Sequence, residues 1–160
     1  MTKEEKKLLF KDLSARQLYG VMLNVKGQDG PNLFDFNEEL YSILIDGEYM
    51  SINDRGSGDE LGICEIKPYL RSMLSITENE MDEIRKRINK NCNTGRLITK
   101  DNFQKMNDWI WFCDMREWEC VGNIMMGEVI DFLNEKMLDW RGLIKKNLAI
   151  EVTEENNPYI

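Results

Sequence analysis

Residues 40–53 read LYSILIDGEYMSIN, with two short apolar runs on either side of the pair Asp46-Gly47. An Asp-Gly pair supplies both positive-φ positions of a type I′ turn, so this stretch predicts a β-hairpin with a two-residue loop. The predicted pairing is Ile45 with Glu48, Ile43 with Met50 and Tyr41 with Ile52, which places Tyr41, Ile43, Met50 and Ile52 on the inner face. Cross-strand pairs of this kind stabilise a sheet, so the hairpin commits the chain to β structure.

Further strands are predicted on both sides of this hairpin. Val21, Leu23 and Val25 alternate with less apolar residues, which is typical of a half-buried strand, and residues 26–32 (KGQDGPN) are dense in turn formers. Residues 61–67 (LGICEIK) return as a strand, and Pro68 ends that strand or places it at an edge because proline has no N–H to donate. The turn at 55–59 is predicted as a solvated hairpin tip, because its flanking acids lack the ligand spacing of an EF-hand calcium loop.

Two capping boxes predict where helices begin. Thr2 with Glu5 starts a helix that reaches about residue 15 and ends near Tyr19-Gly20, and Thr77 with Glu80 starts a second one. The bases of the second helix are predicted to lie on a solvated face, with a phosphate site as the alternative. Two more helices are predicted, from residue 99 or 100 to about 120 and from 128 to about 136.

The run DWIWFCDMREWEC at 108–120 holds three of the four tryptophans and two of the four cysteines. On a helical wheel its apolar residues, with those just before it, fill two adjoining stripes: Phe103, Met106, Ile110 and Cys113, then Trp111, Met115 and Trp118. A helix with this pattern needs cover on two sides, which favours a core or a subunit interface over an aromatic ligand cage. The predicted interface residues are Trp109, Trp111, Met115 and Trp118.

Composition excludes several classes of function. The chain has 160 residues, the size of one domain, and its net charge of −8 argues against general binding to nucleic acid. It contains no histidine, which removes histidine-based triads and zinc enzymes with histidine ligands. No cysteine pair has C-x2-C spacing, so reduced thiols are expected and no metal or cofactor is predicted. No segment is apolar for long enough to cross a membrane, and no signal peptide is recognised, so the cytoplasm is the expected location.

Arginines are the remaining candidates for binding a ligand. Arg16, Arg55, Arg71 and Arg141 each lie at a predicted junction between elements. A guanidinium group can hold a phosphate or carboxylate through two hydrogen bonds, and it can equally pair with an acid of its own fold. The candidate ligand-binding residues are Arg16, Arg71 and Arg141, with structural pairing as the alternative for each.

Three stretches together resemble an uncharacterised family of small proteins encoded by phages and prophages of gut bacteria. They are KDLSARQLYGV at 11–21, IKPYLRSMLSIT at 66–77 and FLNEKMLDWRGLIKKNLAIE at 132–151. The matching positions are Lys11, Asp12, Leu13, Ala15, Arg16, Tyr19, Gly20 and Val21, then Lys67, Pro68, Tyr69, Leu70, Arg71 and Met73, then Asp139, Trp140, Arg141, Gly142, Leu143, Ile144, Leu148, Ala149 and Glu151. The family usually has histidines before the RGLI stretch, where this chain has EKML. The resemblance implies a mobile-element origin and an α+β domain, and it supplies no activity.

These patterns predict one α+β domain over residues 1–153. It has an N-terminal helix, a small bent antiparallel sheet or open barrel within 20–68, and a packed helical C-terminal half within 77–146. Residues 148–152 (LAIEV) are expected to return to the sheet as a short strand, and the polar tail at 154–160 is expected to fray. The predicted function is that of a non-enzymatic phage or prophage accessory protein that binds a host or viral protein. The alternatives are a binder of a small molecule such as a nucleotide signal, and a homo-oligomeric structural component.

Overall fold

The computed structural model describes residues 1–29, 31–46, 49–53, 60–62, 65–91, 97–106, 109–114, 117–120 and 126–160. The chain divides into two compact units: the first unit comprises Met1–Arg71 and Arg141–Ile160, and the second unit comprises Ser72–Trp140. Helices and mainly antiparallel sheets occur together, so the predicted α+β class is confirmed.

The helices and strands follow one another in a mixed order along the chain. The helices are α1 (Lys3–Arg16), α2 (Glu78–Asn91) and α3 (Met126–Glu135). The strands are β1 (Met22–Asp29), β2 (Asn32–Glu39), β3 (Ser42–Asp46), β4 (Tyr49–Asn53), β5 (Glu60–Gly62), β6 (Glu65–Leu70), β7 (Phe103–Met106), β8 (Trp109–Asp114), β9 (Glu117–Cys120) and β10 (Ile150–Glu151).

Helix α1 begins and ends where local chemistry predicts. The backbone N–H of Thr2 donates to Glu5 Oε2 at 2.6 Å, and the Glu5 N–H donates to Thr2 Oγ1 at 3.2 Å, so the capping box is complete. A single 3-10 turn follows the helix, and Gly20 then takes the left-handed conformation at φ 68°. Leu9 and Leu13 of α1 are fully buried.

The main sheet of the first unit has the strand order β10-β6-β1-β2. β10 pairs with β6 in parallel through Ile150–Tyr69 and Glu151–Leu70, which confirms the predicted short C-terminal strand. β1 and β2 pair antiparallel over eight residues each, and Asp29 opposes Asn32. Most of the turn formers at 26–32 therefore lie in the two strands, which continue to within two residues of each other.

Pro68 lies inside a strand, contrary to the prediction that the strand stops or reaches an edge there. Pro68 opposes Leu23 of β1, and β6 continues to Leu70. Its other neighbour, β10, begins to pair only at Tyr69. The missing proline N–H is tolerated because no ladder bond is required on that side at that position.

A second sheet of the first unit has the order β3-β4-β5. The predicted hairpin forms, but its register is wrong by two positions: Ile43 opposes Ile52 and Ile45 opposes Met50. Asp46 pairs with Tyr49, so it belongs to the strand rather than to the loop. An even shift preserves the alternation of faces along both strands. The loop residues and the predicted turn at 55–59 lie outside the described residues.

The second unit contains α2, α3 and a sheet of order β7-β8-β9. The capping box before α2 is confirmed, since the Thr77 N–H donates to Glu80 Oε2 at 2.8 Å and the Glu80 N–H donates to Thr77 Oγ1 at 3.2 Å. A buried cluster joins the two helices to the sheet, and its members include Met81, Ile84, Ile88, Phe103, Ile110, Phe112, Val129, Phe132 and Leu133.

The predicted helix from about residue 99 to 120 is wrong. Strands β7, β8 and β9 instead form an antiparallel meander, in which Phe103 opposes Phe112 and Cys113 opposes Trp118. Alternation explains the outcome, because Ile110 and Phe112 enter the core while Trp109 and Trp111 occupy the alternate positions of β8. Trp109, the first residue of the strand, also packs against the edge of the same core cluster. A run with apolar residues on both faces of a strand also produces apolar stripes on a helical wheel. The spacing of its apolar residues therefore does not distinguish a strand from a helix.

Tyr159 anchors the C-terminal tail, which was expected to fray. Its hydroxyl donates to the Tyr69 carbonyl at 2.7 Å and accepts from the Met22 N–H at 3.2 Å. Met22 and Tyr69 are the next positions of the β1–β6 ladder after Leu23–Pro68. The Tyr159 hydroxyl therefore bridges β1 and β6, since it accepts a hydrogen bond from one strand and donates one to the other. We call this bridge the Tyr159 relay.

Replacing Tyr159 with phenylalanine tests this relay. Burial raises the pKa of Tyr159 to about 12 from its usual value of 10.0. The folded state then holds the proton at a pH where the unfolded chain releases it, so this contribution to stability is complete below pH 10 and is lost as pH rises to about 12. We expect Tyr159→Phe to cost about 1 kcal/mol at neutral pH and to remove this alkaline component.

Urea unfolding at several alkaline pH values measures both effects. Tyr41→Phe is the control, because the Tyr41 side chain is 54% exposed. Identical pH profiles for the wild type and Tyr159→Phe would show that the phenol does not occupy the ladder.

Candidate functional site

Two of the three candidate arginines converge on one buried carboxylate. Arg16 Nε lies 2.8 Å from Asp12 Oδ2 and Arg16 Nη2 lies 3.1 Å from Asp12 Oδ1. Arg141 Nη1, from the far end of the first unit's sequence, lies 2.8 Å from the same Oδ1. Both the Arg16 and Asp12 side chains are fully buried, and the Arg141 side chain is 9% exposed. We name Asp12, Arg16 and Arg141 the ion triad.

The geometry of the ion triad favours a structural role over a catalytic or ligand-binding one. Burial lowers the pKa of Arg141, and the neighbouring charge of Arg16 adds to that effect, while Asp12 opposes it. A guanidinium group stays protonated in proteins, so neither arginine can serve as a base. Because Arg16 is fully buried, a dissolved ligand would reach it only after the fold opened.

Sequence reasoning missed Asp12 as the centre of this cluster. Asp12 lies four residues before Arg16 on a predicted helix, and this spacing in the sequence already indicates an ion pair between the two side chains. No such signal connects Asp12 with Arg141, because 129 positions separate them. Arg71 is half-buried directly after β6 and is not among the contacts of Asp12, and Arg55 lies outside the described residues.

Acids of the second unit engage the bases that were predicted to lie on a solvated face of α2. Arg85 is 7% exposed and lies 2.6 Å from both Glu78 and Asp82, and it also donates to the Phe103 carbonyl at 3.1 Å. Arg87 lies 2.6 Å from Glu83 and 2.7 Å from Glu135. These contacts tie α2 to β7 and α3, so Arg85 and Arg87 have structural partners.

The structure brings the predicted interface tryptophans onto one face of the β7-β8-β9 sheet. Trp109 and Trp111 alternate with core residues along β8, and Trp118 of β9 opposes Cys113. Met106 of β7 opposes Trp109 on the same face. We name this surface, comprising Met106, Trp109, Trp111, Cys113 and Trp118, the tryptophan face. The fourth predicted interface residue, Met115, lies outside the described residues.

The tryptophan face is only partly covered by its own chain. Trp118 is 37% exposed, and the other four side chains are half-buried. Trp109 also contacts Trp140, with ring centroids 6.4 Å apart, and the Trp140 indole donates to Asn134 at 2.9 Å. The indole N–H groups of Trp109 and Trp111 are enclosed with no acceptor among the described residues. Such a donor is uncommon in a folded protein, since burying it without a partner costs about 1–3 kcal/mol.

The described residues contain no group of three or more acids and cysteines placed to bind a metal ion. Cys113 is a half-buried free thiol, and the other three cysteines fall outside what is described of the side chains. None of the described helices has the length and apolar character that crossing a bilayer requires.

Comparison with protein-family models, with curated proteins and with solved structures finds no match to this chain.

Asp12→Asn tests the ion triad. The substitution leaves two guanidinium groups in a buried place without the carboxylate between them, so we expect the free energy of unfolding to fall by about 3–5 kcal/mol. Asp35→Asn is the control, because the Asp35–Lys26 pair is exposed and is expected to contribute at most about 1 kcal/mol. Equal losses from the two substitutions, measured by denaturant unfolding, would contradict a central role for Asp12.

Arg87→Gln tests the acid sensitivity of the second unit. The hydrogen bonds from Arg87 hold the pKa of Glu135 below its usual 4.5, so the stabilising contribution is present above that pH and is lost as pH falls through the lowered pKa. We expect wild-type stability to fall on acidification below about pH 4.5 and Arg87→Gln to flatten that fall. Lys86→Gln, an equal charge change at an exposed neighbour, should retain the wild-type slope when both are unfolded across the same pH series.

Proposed function

We propose that this protein is a phage or prophage accessory protein that acts without catalysis, by binding a partner protein through its tryptophan face. The observation that carries the proposal is the placement of Trp109, Trp111 and Trp118 on one side of a three-stranded sheet. Its other side already covers the core of the second unit through Ile110 and Phe112.

A second apolar side on a small sheet needs a reason, because a sheet that covers one core usually presents polar residues to water. Here most of the described outward positions carry large aromatic and sulfur-containing side chains that remain partly exposed, with the exposed Gln104 beside Trp111 as a polar exception. Tryptophan is enriched among the residues that contribute most to protein–protein binding. A partner that covers this face would remove from water the apolar area that the chain itself leaves uncovered.

The two enclosed indole donors support the same proposal. Trp109 and Trp111 lack an acceptor among the described residues, and each unsatisfied donor destabilises the free protein. Backbone carbonyl groups of a bound protein are suitable acceptors for these two N–H groups if binding rearranges the rings.

The remaining features agree with a binding role in the bacterial cytoplasm. The net charge of −8 disfavours nucleic acid as the partner, and the absence of histidine removes the commonest catalytic base. Mobile-element origin rests on the resemblance of the three stretches. The small-molecule alternative has less support, because Arg16 and Arg141 both engage Asp12.

Trp118→Glu is the test of the tryptophan face. Immobilised wild-type protein is expected to retain a defined protein from host lysate or from infected cells, and Trp118→Glu is expected to weaken that binding by at least about ten-fold, the cost of burying an unpaired carboxylate. Leu97→Glu is the matched control, because Leu97 is 69% exposed in the same unit and lies outside the face. Circular dichroism confirms that both variants are folded.

Failure to retain any partner under several conditions, or equal retention by both variants, would contradict the proposal. Light scattering separates the homo-oligomeric alternative. A defined multimer that Trp118→Glu dissociates would make a second copy of the chain the occupant of the face.

A further inference from the structure

A row of lysines runs along the exposed side of α1 in the first unit. Lys3, Lys7 and Lys11 follow one another at a spacing of four residues, and all three side chains are exposed. At that spacing the three residues lie within an arc of about 80° and along roughly 12 Å of the helix. Lys7 precedes the fully buried Leu9 by two residues, so it lies on the opposite side of α1 from the core. We name Lys3, Lys7 and Lys11 the lysine row.

The lysine row is not paired within its own fold. None of its three side chains has an ion pair or a hydrogen bond with any residue that the structure describes. The two acids in the first turn of α1 are Glu4 and Glu5. Glu5 is engaged in the capping box with Thr2, and the exposed Glu4 flanks the row. Glu4 offsets one of the three positive charges, so this side of the helix keeps a positive excess.

The lysine row stands where it weakens the helix. Lys3 is the first residue of α1, where the positive end of the helix macrodipole disfavours a cation. Lys3 with Lys7 and Lys7 with Lys11 are also like-charge pairs at a spacing of four, and such pairs destabilise a helix. Acids at these positions would keep the surface equally soluble and would stabilise this end of the helix. A charged row that opposes the stability of its own element indicates a use outside the fold.

The charge of the row decides which kind of partner fits. The net charge of the whole chain is −8, so the protein outside the row is still more negative. Because salt screens charges over about 8 Å at physiological ionic strength, a short acidic segment lying along α1 interacts mainly with the lysines. A nucleic-acid duplex or a membrane is wider than the row, and it would bring further negative charge over the acidic remainder of the protein.

We infer that the lysine row is a docking site for a short acidic segment of another protein. Carboxylates of the segment would supply the counter-charges that α1 lacks in its own fold. The inference does not depend on the tryptophan face, because the two surfaces lie in different units.

A capped nonapeptide of alternating glutamate and serine is the probe. We expect it to bind the full-length protein at low ionic strength and to shift the backbone amide NMR signals of α1. The double variant Lys7→Gln/Lys11→Gln should bind the peptide at least about five-fold more weakly, since it removes two of the three charges in the row. Lys86→Gln/Lys90→Gln is the matched control, because these two lysines are exposed at the same spacing on α2. The control has the same net charge and should bind the peptide as the wild type does.

Urea unfolding of the same variants separates docking from a structural role. Since the lysines of the row repel one another, we expect Lys7→Gln/Lys11→Gln to be at least as stable as the wild type. A variant that lost stability together with peptide binding would place the row among the contacts that hold the fold, against the inference. Trp118→Glu should bind the peptide as the wild type does, so failure of the tryptophan face leaves this result intact.

Three further results would overturn the inference. The first is no binding of the glutamate–serine peptide, or equal weakening by the two double variants. The second is tighter binding of the row to a DNA strand of equal charge or to phosphatidylglycerol vesicles than to the peptide. The third is self-association at low ionic strength that Lys7→Gln/Lys11→Gln abolishes, which would make a second copy the occupant.

Discussion

The carboxylate of Asp12 joins the first and last parts of the first unit. Arg16 holds it from within α1, and Arg141 reaches it from the segment that follows the second unit. Two guanidinium groups on one buried carboxylate are stable only while all three side chains stay in place, because an unpaired buried charge is expensive. This requirement sets the position of α1 relative to the chain that leads to β10. It also explains why arginines at element junctions need not mark a ligand site.

Three stretches of the sequence, 11–21, 66–77 and 132–151, supply most of this framework. Asp12, Arg16 and Gly20 come from the first stretch, the end of β6 from the second and Arg141 with β10 from the third. Their roles in the structure are ion pairing, a left-handed turn and strand pairing. Each of these roles is structural. The tryptophan face belongs to the second unit and lies outside these stretches. A partner that binds this face would therefore be recognised by residues that the three stretches do not contain.

Local signals in the sequence were reliable where one or two side chains decide the structure. Both capping boxes formed because Thr2 and Thr77 satisfy backbone donors within one helical turn. The tryptophan run was predicted as a helix because its apolar residues fit both a helical stripe and two strand faces. β2 was missed because its side chains are mostly exposed, so that its sequence lacks the apolar alternation of a half-buried strand. The sequence analysis grouped the tryptophans by their spacing along a helix. The structure also brings them together, but through alternation along the strands of the β7-β8-β9 sheet. The pairing of Asp12 with Arg141 depends on tertiary structure, and no pattern within either stretch contains it.

The division of the chain into units has a consequence for its synthesis. Residues 72–140 are contiguous, so the second unit is complete as soon as they leave the ribosome. The first unit must wait for residues 141–160, although its N-terminal part emerges first. Until then β6 lacks its parallel neighbour, the relay by Tyr159 is missing, and Asp12 has one guanidinium instead of two. The sheet of the first unit is therefore incomplete in the nascent chain until its last residues have been synthesised.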